Sequence, residues 1–518
     1  MTSIRPDRVA LPESVLAAHG GPSGQVASVL VAPSDLQAAV HELAAAPEAR
    51  LADVFATGTG PVVLRLVWAL DSSDQYLITE SVIDGDTYPA LSDIAPAAFT
   101  EECEIYEQFG IRPAGGRPLN RVAIPPHADP DFPRLGRAPA DSPRDVHAPH
   151  VVGGHAFEFP FGPVRQVGME SLYYGLVTSG EELVDLYLFT WHKHRGVEWR
   201  ARGRTPAEAL FHIERAEGLG AIGNGWAFAA AAESALGIEP PSSALRARAV
   251  ALELERLYNH AAAVAALCQA CGLAVGRAAA EVALERLLRL NAETFGHRYL
   301  FGVMTVGGAR DGPDIAALRG GLPGAYGELS RAADALLRTN SFVDRLEATG
   351  RIPGEDVRRL GLVGPVARAS GVGLDVRADH PSAPYADVPP TIASRDGGDV
   401  LARFQLMLAE AADSVRLIGE FLDTGASADA AELGGDAFRG TVGPERTRCG
   451  LGWAESSRGE ALAWVQLDAD GRISRARLRP AAVRNWRGFD DACRSQNVFT
   501  DIPIIEASFW LTVAGTAR

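Results

Sequence analysis

Thr205-Pro206-Ala207-Glu208 opens the stretch that decides the fold, which runs on to His260. A hydroxyl at the N-cap, a proline at the first helical position and a glutamate three residues after the cap make a capping box. The pattern predicts a helix to about Glu217. Gly218, Gly220, Gly223 and Gly225 follow, and glycine at that density breaks a helix. An alanine-rich helix is then expected from Trp226 to Gly237. Pro240-Pro241 block its continuation, and Ser242 or Ser243 can cap a third helix. That helix is expected from about Ala244 to Cys271. Leu254, Leu257, Ala261, Val264, Cys268 and Cys271 recur three and four apart along it, a heptad-like buried seam. Glu253, Arg256 and His260 keep the same spacing one residue earlier. The glycine break therefore lies in a helical bundle, where two helix ends meet and can serve a site.

The rest of the composition sets bounds. A chain of 518 residues is expected to hold two or three domains. Hydrophobic content of 47% and charged content of 22% describe an ordinary globular protein. A formal charge of -16 argues against nucleic acid as a partner and against an anionic membrane surface. Lys193 is the only lysine, an arginine preference best explained by coding bias. Five cysteines in this length fit a reducing compartment, not a disulfide framework. Met1 to Ala10 has no apolar core of a secretion signal, and no strongly apolar run reaches about 18 residues. Any link to a membrane is expected to go through partners.

Along the chain, residues 1–125 read as a separate α/β domain. Gln37 to Arg50 reads as a helix, and Pro61 to Leu70 and Gln75 to Ile83 as strands across the turn Asp71-Ser72-Ser73-Asp74. Residues 126–152, rich in Pro, Asp, His and Arg, read as a linker. The irregular spacing of His127, His147, His150 and His155 argues against a metal site there. Residues 153–518 form the main domain, with strands at Phe161 to Val164, Leu172 to Leu176 and Leu183 to Trp191, and helices at Ala279 to Thr294 and Asp314 to Ala348. Asp468-Ala469-Asp470-Gly471 reads as a hairpin turn. The fold class is α+β, a central helical bundle flanked by small sheets.

His194-Arg195-Gly196-Val197-Glu198, the Glu214-Arg215 turn, the Glu253 to His260 helix and the run from Gly296-His297-Arg298 to Gly307-Gly308 occur in that order. This set resembles the large subunit of nickel-iron hydrogenases of the formate-hydrogenlyase type and its relative in complex I, the 49-kDa quinone-site subunit. Gly364-Pro365, Arg368, Gly371, Asp375, Arg377 and Pro384-Tyr385 match the same family, as do Arg403, Glu410 and Ser414. Glu101 to Ile111 is similar to the 30-kDa subunit of complex I, which the hydrogenlyase type fuses to the large one.

The resemblance implies what is missing. The family holds nickel and iron with four thiolates in two C-x-x-C pairs, and hard or neutral side chains do not replace soft anionic sulfur. The corresponding positions are Glu217 and Gly220 after Arg215, and Thr512 and Gly515 near Arg518. None is a cysteine, so no nickel-iron centre is expected. The Cys268-Gln269-Ala270-Cys271 pair falls on the apolar seam and reads as core packing. The complex I relative donates protons to quinone from a tyrosine and a histidine. Gly218 stands at the first position, and Arg165 and Met169 stand where the hairpin carries histidines.

Glu217 and Arg215 are the candidate catalytic residues, Glu217 as a proton-transfer carboxylate that could instead pair with Arg215 or cap the turn. His194, Arg195, Glu198, Gly218 and Met169 are expected to line a cavity, and for the first three an ion-pair network is the alternative. The resemblance implies a partner small subunit with a 4Fe-4S cluster, and antiporter-like membrane subunits. It implies no cofactor on this chain, leaves quinone binding open, and makes NAD a substrate of the whole complex at most. The expected place is the cytoplasmic face of the cell membrane. A non-catalytic scaffold is the second reading.

Overall fold

The computed structural model describes residues 19–20, 25–58, 60–125, 128–129, 132–141, 156–165, 170–426, 441–442, 448–494 and 497–518. The architecture is mixed α+β, a helical core flanked by small sheets. In the N-terminal part, β1 (Val26–Leu30), α1 (Leu36–Ala45), β2 (Ala49–Thr57), β3 (Val62–Leu70), β4 (Gln75–Ile83) and α2 (Phe99–Phe109) follow in order. The sheet order is β1-β4-β3-β2, with β1 parallel to β4 and the other pairs antiparallel. The expected β3–β4 hairpin forms across Asp71–Asp74. The helix expected to reach Arg50 stops at Ala45, because Ala49 already pairs with Leu70 in the sheet.

One face of this sheet packs on the helices. The other is sealed by Phe55, Val67, Tyr76 and Ile78 against Trp453, Leu462 and Trp464 of the main domain. The N-terminal part is therefore fused to the main domain, not loosely tethered. The described piece of the expected linker, residues 132–141, lies back on the end of α2. Gly136 N donates to Gln108 O at 3.0 Å, and Tyr106 Oη donates to Asp141 O at 2.8 Å. His127, His147, His150 and His155 lie outside the described residues.

The main domain begins with an antiparallel sheet of β5 (Ala156–Phe161), β6 (Tyr173–Ser179) and β7 (Glu182–Phe189), in the order β7-β6-β5. On the edge strand, Phe157, Phe159 and Phe161 are 54%, 45% and 40% exposed. Then come α3 (Pro206–Ile213), α4 (Ala221–Leu236), α5 (Ser242–Ala270), α6 (Ala274–Phe295), α7 (Ile315–Leu337) and α8 (Val400–Ala426). The C-terminal part holds β8 (Cys449–Ser456), β9 (Gly459–Leu467), β10 (Ile473–Arg479), α9 (Ala481–Arg494) and α10 (Ile502–Phe509).

The glycine stretch is organised differently from expectation. The capping box of α3 is complete, with Glu208 N donating to Thr205 Oγ1 and Thr205 N donating to Glu208 Oε2. The helix ends at Ile213, not Glu217, and α4 starts at Ala221, five residues before Trp226. Gly223 and Gly225 lie inside α4. A Cβ on Gly223 would sit 2.7 Å from Ser456 Cβ, so this glycine lets the helix meet the end of β8. Beneath the next turns, Cβ atoms on Gly450 and Gly452 would come within 2.1 Å of Ala231 O and 2.3 Å of Ala227 O. Helix backbone rests directly on strand backbone there. Gly237, at φ 67°, ends α4 as expected.

The seam of α5 is buried from Leu254 to Cys268, with Cys271 half-buried at the helix end. Burial pushes the Cys268 thiol up to about 12 and the Cys271 thiol up to about 11, as packed, unreactive sulfur should behave. Among the described residues, no helix is long and apolar enough to cross a membrane.

Candidate functional site

Two loops meet over the start of α4. The first is the turn from Glu214 to Gly220. The second is the chain end from Trp510 to Arg518, which follows α10. The first loop places Glu217, 4% exposed, above the N-terminal turn of α4. Asn224 Nδ2 donates to Glu217 Oε2 at 2.7 Å, and the Thr512 hydroxyl donates to Glu217 Oε1. Gly515 N donates to Thr512 Oγ1 at 3.2 Å. A Cβ on Gly220 would lie 3.0 Å from Glu217 Oε2, and one on Gly515 would lie 2.8 Å from Glu217 Oε1. Glu217, Gly220, Thr512 and Gly515 thus converge on one carboxylate, although 295 residues separate Glu217 from Thr512.

Arg195 ties the loops together through backbone. Its guanidinium donates to Arg215 O and Ala216 O on one side and to Ala514 O on the other, and Arg195 N donates to Ala517 O at 2.8 Å. Burial lowers its pKa, which Glu170 and Glu217 oppose. Glu170 was not singled out from sequence, yet its carboxylate accepts from Val513 N and Ala514 N and holds the second loop from the hairpin side. Asn259 was also missed. Its amide donates to Leu219 O at 2.9 Å, while its Oδ1 accepts from Trp510 Nε1 at 2.8 Å and Arg458 Nη2 at 3.2 Å. One side chain thus joins both loops to α5.

The remaining candidates separate from the pocket. Arg215 points away from Glu217 and is not part of the constellation. It pairs with Glu214, donates to Phe211 O at 2.8 Å and lies over the rings of Phe211 and Phe301 at 3.8 and 4.8 Å. The Glu217–Arg215 pair considered from sequence does not form. Gly218 is exposed, and a Cβ there would meet nothing within 4 Å, so it lines no cavity. Glu198 is buried and accepts from Arg475 Nη1 at 2.7 Å, Arg518 Nε at 3.0 Å and Leu478 N at 2.9 Å, which fixes the chain end to β10. His194 stacks edge-on against Phe132, and burial lowers its pKa. Arg165 is held by Glu506 at 2.8 Å. Met169 lies outside the described residues.

Beside the pocket, Glu255 is fully buried and accepts from Ile222 N at 2.7 Å and Gly223 N at 3.0 Å. It thereby serves the free amides at the start of α4. Burial pushes it up to about 7 against those donors, with Glu217 adding to the rise. Further along α5, Glu253 accepts from Arg377 at 3.0 Å, Ser414 at 2.6 Å and Tyr385 at 2.6 Å. Burial alone would raise Glu253, but Arg377 and Arg256 outweigh it and hold it at about 2. His260 meets Glu410 at 3.0 Å, and Arg368 bridges Glu410 and Glu455, each at 2.8 Å. The polar stripe read from spacing is a buried ion-pair network.

Comparison with known proteins places the chain among relatives. Residues 280–432 match the family described as "Respiratory-chain NADH dehydrogenase, 49 Kd subunit". Formate hydrogenlyase subunit 5 of Escherichia coli is 28% identical over 437 residues, covering 81% of this chain and 75% of that protein. Hydrogenase-4 component G of the same organism is 26% identical over 84% of this chain and 76% of that protein. A subunit of the NADH-quinone oxidoreductase of Roseiflexus is 29% identical over 64% of this chain and 91% of that protein. Among solved structures, a chain of the membrane-bound sulfane sulfur reductase, an archaeal respiratory membrane complex, superimposes with a TM-score of 0.64 at 22% identity. The match covers 71% of this chain and all of that one, and it shows a shared fold. The chain is a distant homologue of the family that unites the complex I 49-kDa subunit with the large subunits of nickel-iron hydrogenases.

Proposed function

We propose that this chain is the large-subunit component of a membrane-bound respiratory oxidoreductase of the hydrogenase-4, formate hydrogenlyase and complex I class. In this reading it works beside an iron-sulfur small subunit and carries no nickel-iron centre of its own. The observation that carries it is the convergence of Glu217, Gly220, Thr512 and Gly515 on one point. A thiolate cage would need four soft anionic donors at that point. These positions offer a carboxylate, a hydroxyl and two glycines, and the carboxylate fills the space that side chains at Gly220 and Gly515 would enter. The residues do not fit a nickel-iron pair.

Glu217 is then the group left to act. It is held by neutral donors, Asn224 and Thr512, and among the described residues it makes no ion pair. A carboxylate in that setting can take up and release a proton as a quinone or another acceptor is reduced nearby. The N-terminal domain is read as the fused 30-kDa-like subunit. In support, the 437-residue match to formate hydrogenlyase subunit 5 is longer than the 366 residues from 153 to 518. The exposed phenylalanines of β5 support a face covered by another subunit.

The test is to purify the complex, measure its metals and clusters, and assay electron transfer with Glu217→Gln. No stoichiometric nickel, 4Fe-4S signals from the partner and a slowed transfer are expected. Stoichiometric nickel would overturn the reading. A scaffold role is favoured by one observation, the closed packing of Thr512 and Gly515 on Glu217. Electron transfer unchanged by Glu217→Gln would select it.

A further inference from the structure

The two side chains that hold Glu217 differ in what they can offer it. On one side the Thr512 hydroxyl donates to Oε1, while its oxygen accepts from Gly515 N at 3.2 Å. On the other, Asn224 Nδ2 donates to Oε2 at 2.7 Å. Asn224 is 1% exposed, and among the described residues its buried Oδ1 accepts from nothing. A buried carbonyl oxygen left without a donor costs free energy, so its presence beside a carboxylate asks for a reason.

The amide is free to turn while its backbone is not. Asn224 N donates to Gly220 O at 3.2 Å, and the N–H groups of Ile222 and Gly223 are pinned to Glu255. A Cβ on Gly220 would lie 3.2 Å from Asn224 Nδ2, so glycine there leaves the amide room. The last torsion of asparagine is broad and close to two-fold, and a half-turn exchanges Nδ2 with Oδ1. An ionised Glu217 needs the donor end, and a protonated one needs the acceptor end. Thr512 offers no such exchange. With a proton on Oε1, its oxygen would accept both that proton and Gly515 N, and its own hydroxyl hydrogen would lose its partner.

We propose that Glu217 carries its transferable proton on Oε2, and that Asn224 is the positioning residue whose amide turns with each change of protonation. This rests on the reading of Glu217 as the proton-transfer carboxylate. With Oε2 ionised, Nδ2 donates to it. When a proton arrives from solvent, the new O–H bond forms at Oε2 and Oδ1 accepts from it. When that proton leaves with the reduced acceptor, the negative charge stays on Glu217 and the amide turns back. No electron passes through either residue. The charged groups that interact with Glu217 are Arg195, which Glu170 also faces, and Glu255 on α5, which Arg458 faces. All four are unchanged in variants at Asn224.

The test is infrared difference spectroscopy of the full chain during a pH titration. The carboxyl band that disappears in Glu217→Gln is the Glu217 signal. In Asn224→Leu it should titrate about one pH unit higher, because the ionised form has lost a donor. Asn224→Asp keeps the size but sets a second carboxyl beside Oε2, and the pair should keep a proton to a higher pH still. In the wild-type chain with isotope-labelled asparagine, a side-chain amide band should move at the same pH as the Glu217 band. A titration unchanged in both variants, or no asparagine band moving with Glu217, would overturn the proposal. Bands that move as expected while Glu217→Gln leaves electron transfer unchanged would support the turning amide and remove only the function given to Glu217.

Discussion

Two buried acidic regions share helix α5 and are neutralised in opposite ways. Around Glu253 and Glu410, three guanidinium groups, from Arg256, Arg368 and Arg377, face four carboxylates, from Glu253, Asp375, Glu410 and Glu455. The surplus carboxylate shows itself. Burial and the neighbouring Asp375 push Glu455 up despite Arg368, while Glu253 and Glu410 stay depressed. Around Glu217 and Glu255 the partners are neutral: an amide, a hydroxyl and backbone N–H groups. Where arginine outweighs burial, as at Glu253 and Glu410, the carboxylate is held in its charged form and works as a fastener. One held by neutral donors has no opposite charge bonded to it, so it does not fasten distant parts of the chain in the same way.

The sharpest way to break the comparison is Glu253→Gln. Removing one member of a buried ion-pair network leaves Arg377 and Arg256 short of a charge and should cost about 3–5 kcal/mol by denaturant unfolding. A cost under about 1 kcal/mol would show that the network is not a fastener. Next is Gly515→Ala, whose Cβ meets Glu217 Oε1 at 2.8 Å. Crowding of that kind should cost about 1–3 kcal/mol and displace the carboxylate. Glu217→Gln keeps one acceptor and should cost about 1 kcal/mol, far less than Glu253→Gln.

The pH dependence separates the regions further. Glu255 is raised from 4.5 to about 7, so its folded form holds the proton more tightly than the unfolded chain. Its contribution is complete below pH 4.5 and is lost as pH rises through about 7. Glu253 runs the other way: its contribution is present above pH 4.5 and lost as pH falls towards about 2. Thermal unfolding from pH 4.5 to 7 should show a downward slope to which Glu455 and Glu107, also raised to about 7, contribute, and which Glu255→Gln makes shallower. The smallest effect is expected at Gly218→Ala, within about 0.5 kcal/mol, because the new methyl group meets open space.

Features governed by neighbouring residues were legible in the sequence. The Thr205–Glu208 box, the hairpin across Asp71–Asp74 and the seam of α5 depend on spacing within one element, and all three form. Features governed by distant contact were not. Gly223 and Gly225 looked like helix breakers because their neighbours Ser456 and Met304 are far away in the chain. The first two residues of the strand from Ala49 to Thr57 were absorbed into the preceding helix and the rest went unread, since only its pairing with β3 declares it. Glu170, Glu255 and Asn259 carry no local signature, and their roles exist only once the loops they join are assembled. The positions of Glu217, Gly220, Thr512 and Gly515 were found through the family pattern, which no periodicity would have supplied. Arg215 was misplaced because adjacency in a turn says nothing about which way a side chain leaves it.

Where α4 rests on Gly450 and Gly452, backbone meets backbone with no side chain between. Such a joint has no cushion to compress and no rotamer to flip, so the helix cannot slide along the strand in small steps. Glu217 stands just ahead of the first turn of that helix and inherits its rigidity. The chain end carrying Thr512 is fastened as well, by Arg195, Glu170 and Glu198, so the carboxylate is gripped between two surfaces that are each tied to the rest of the fold.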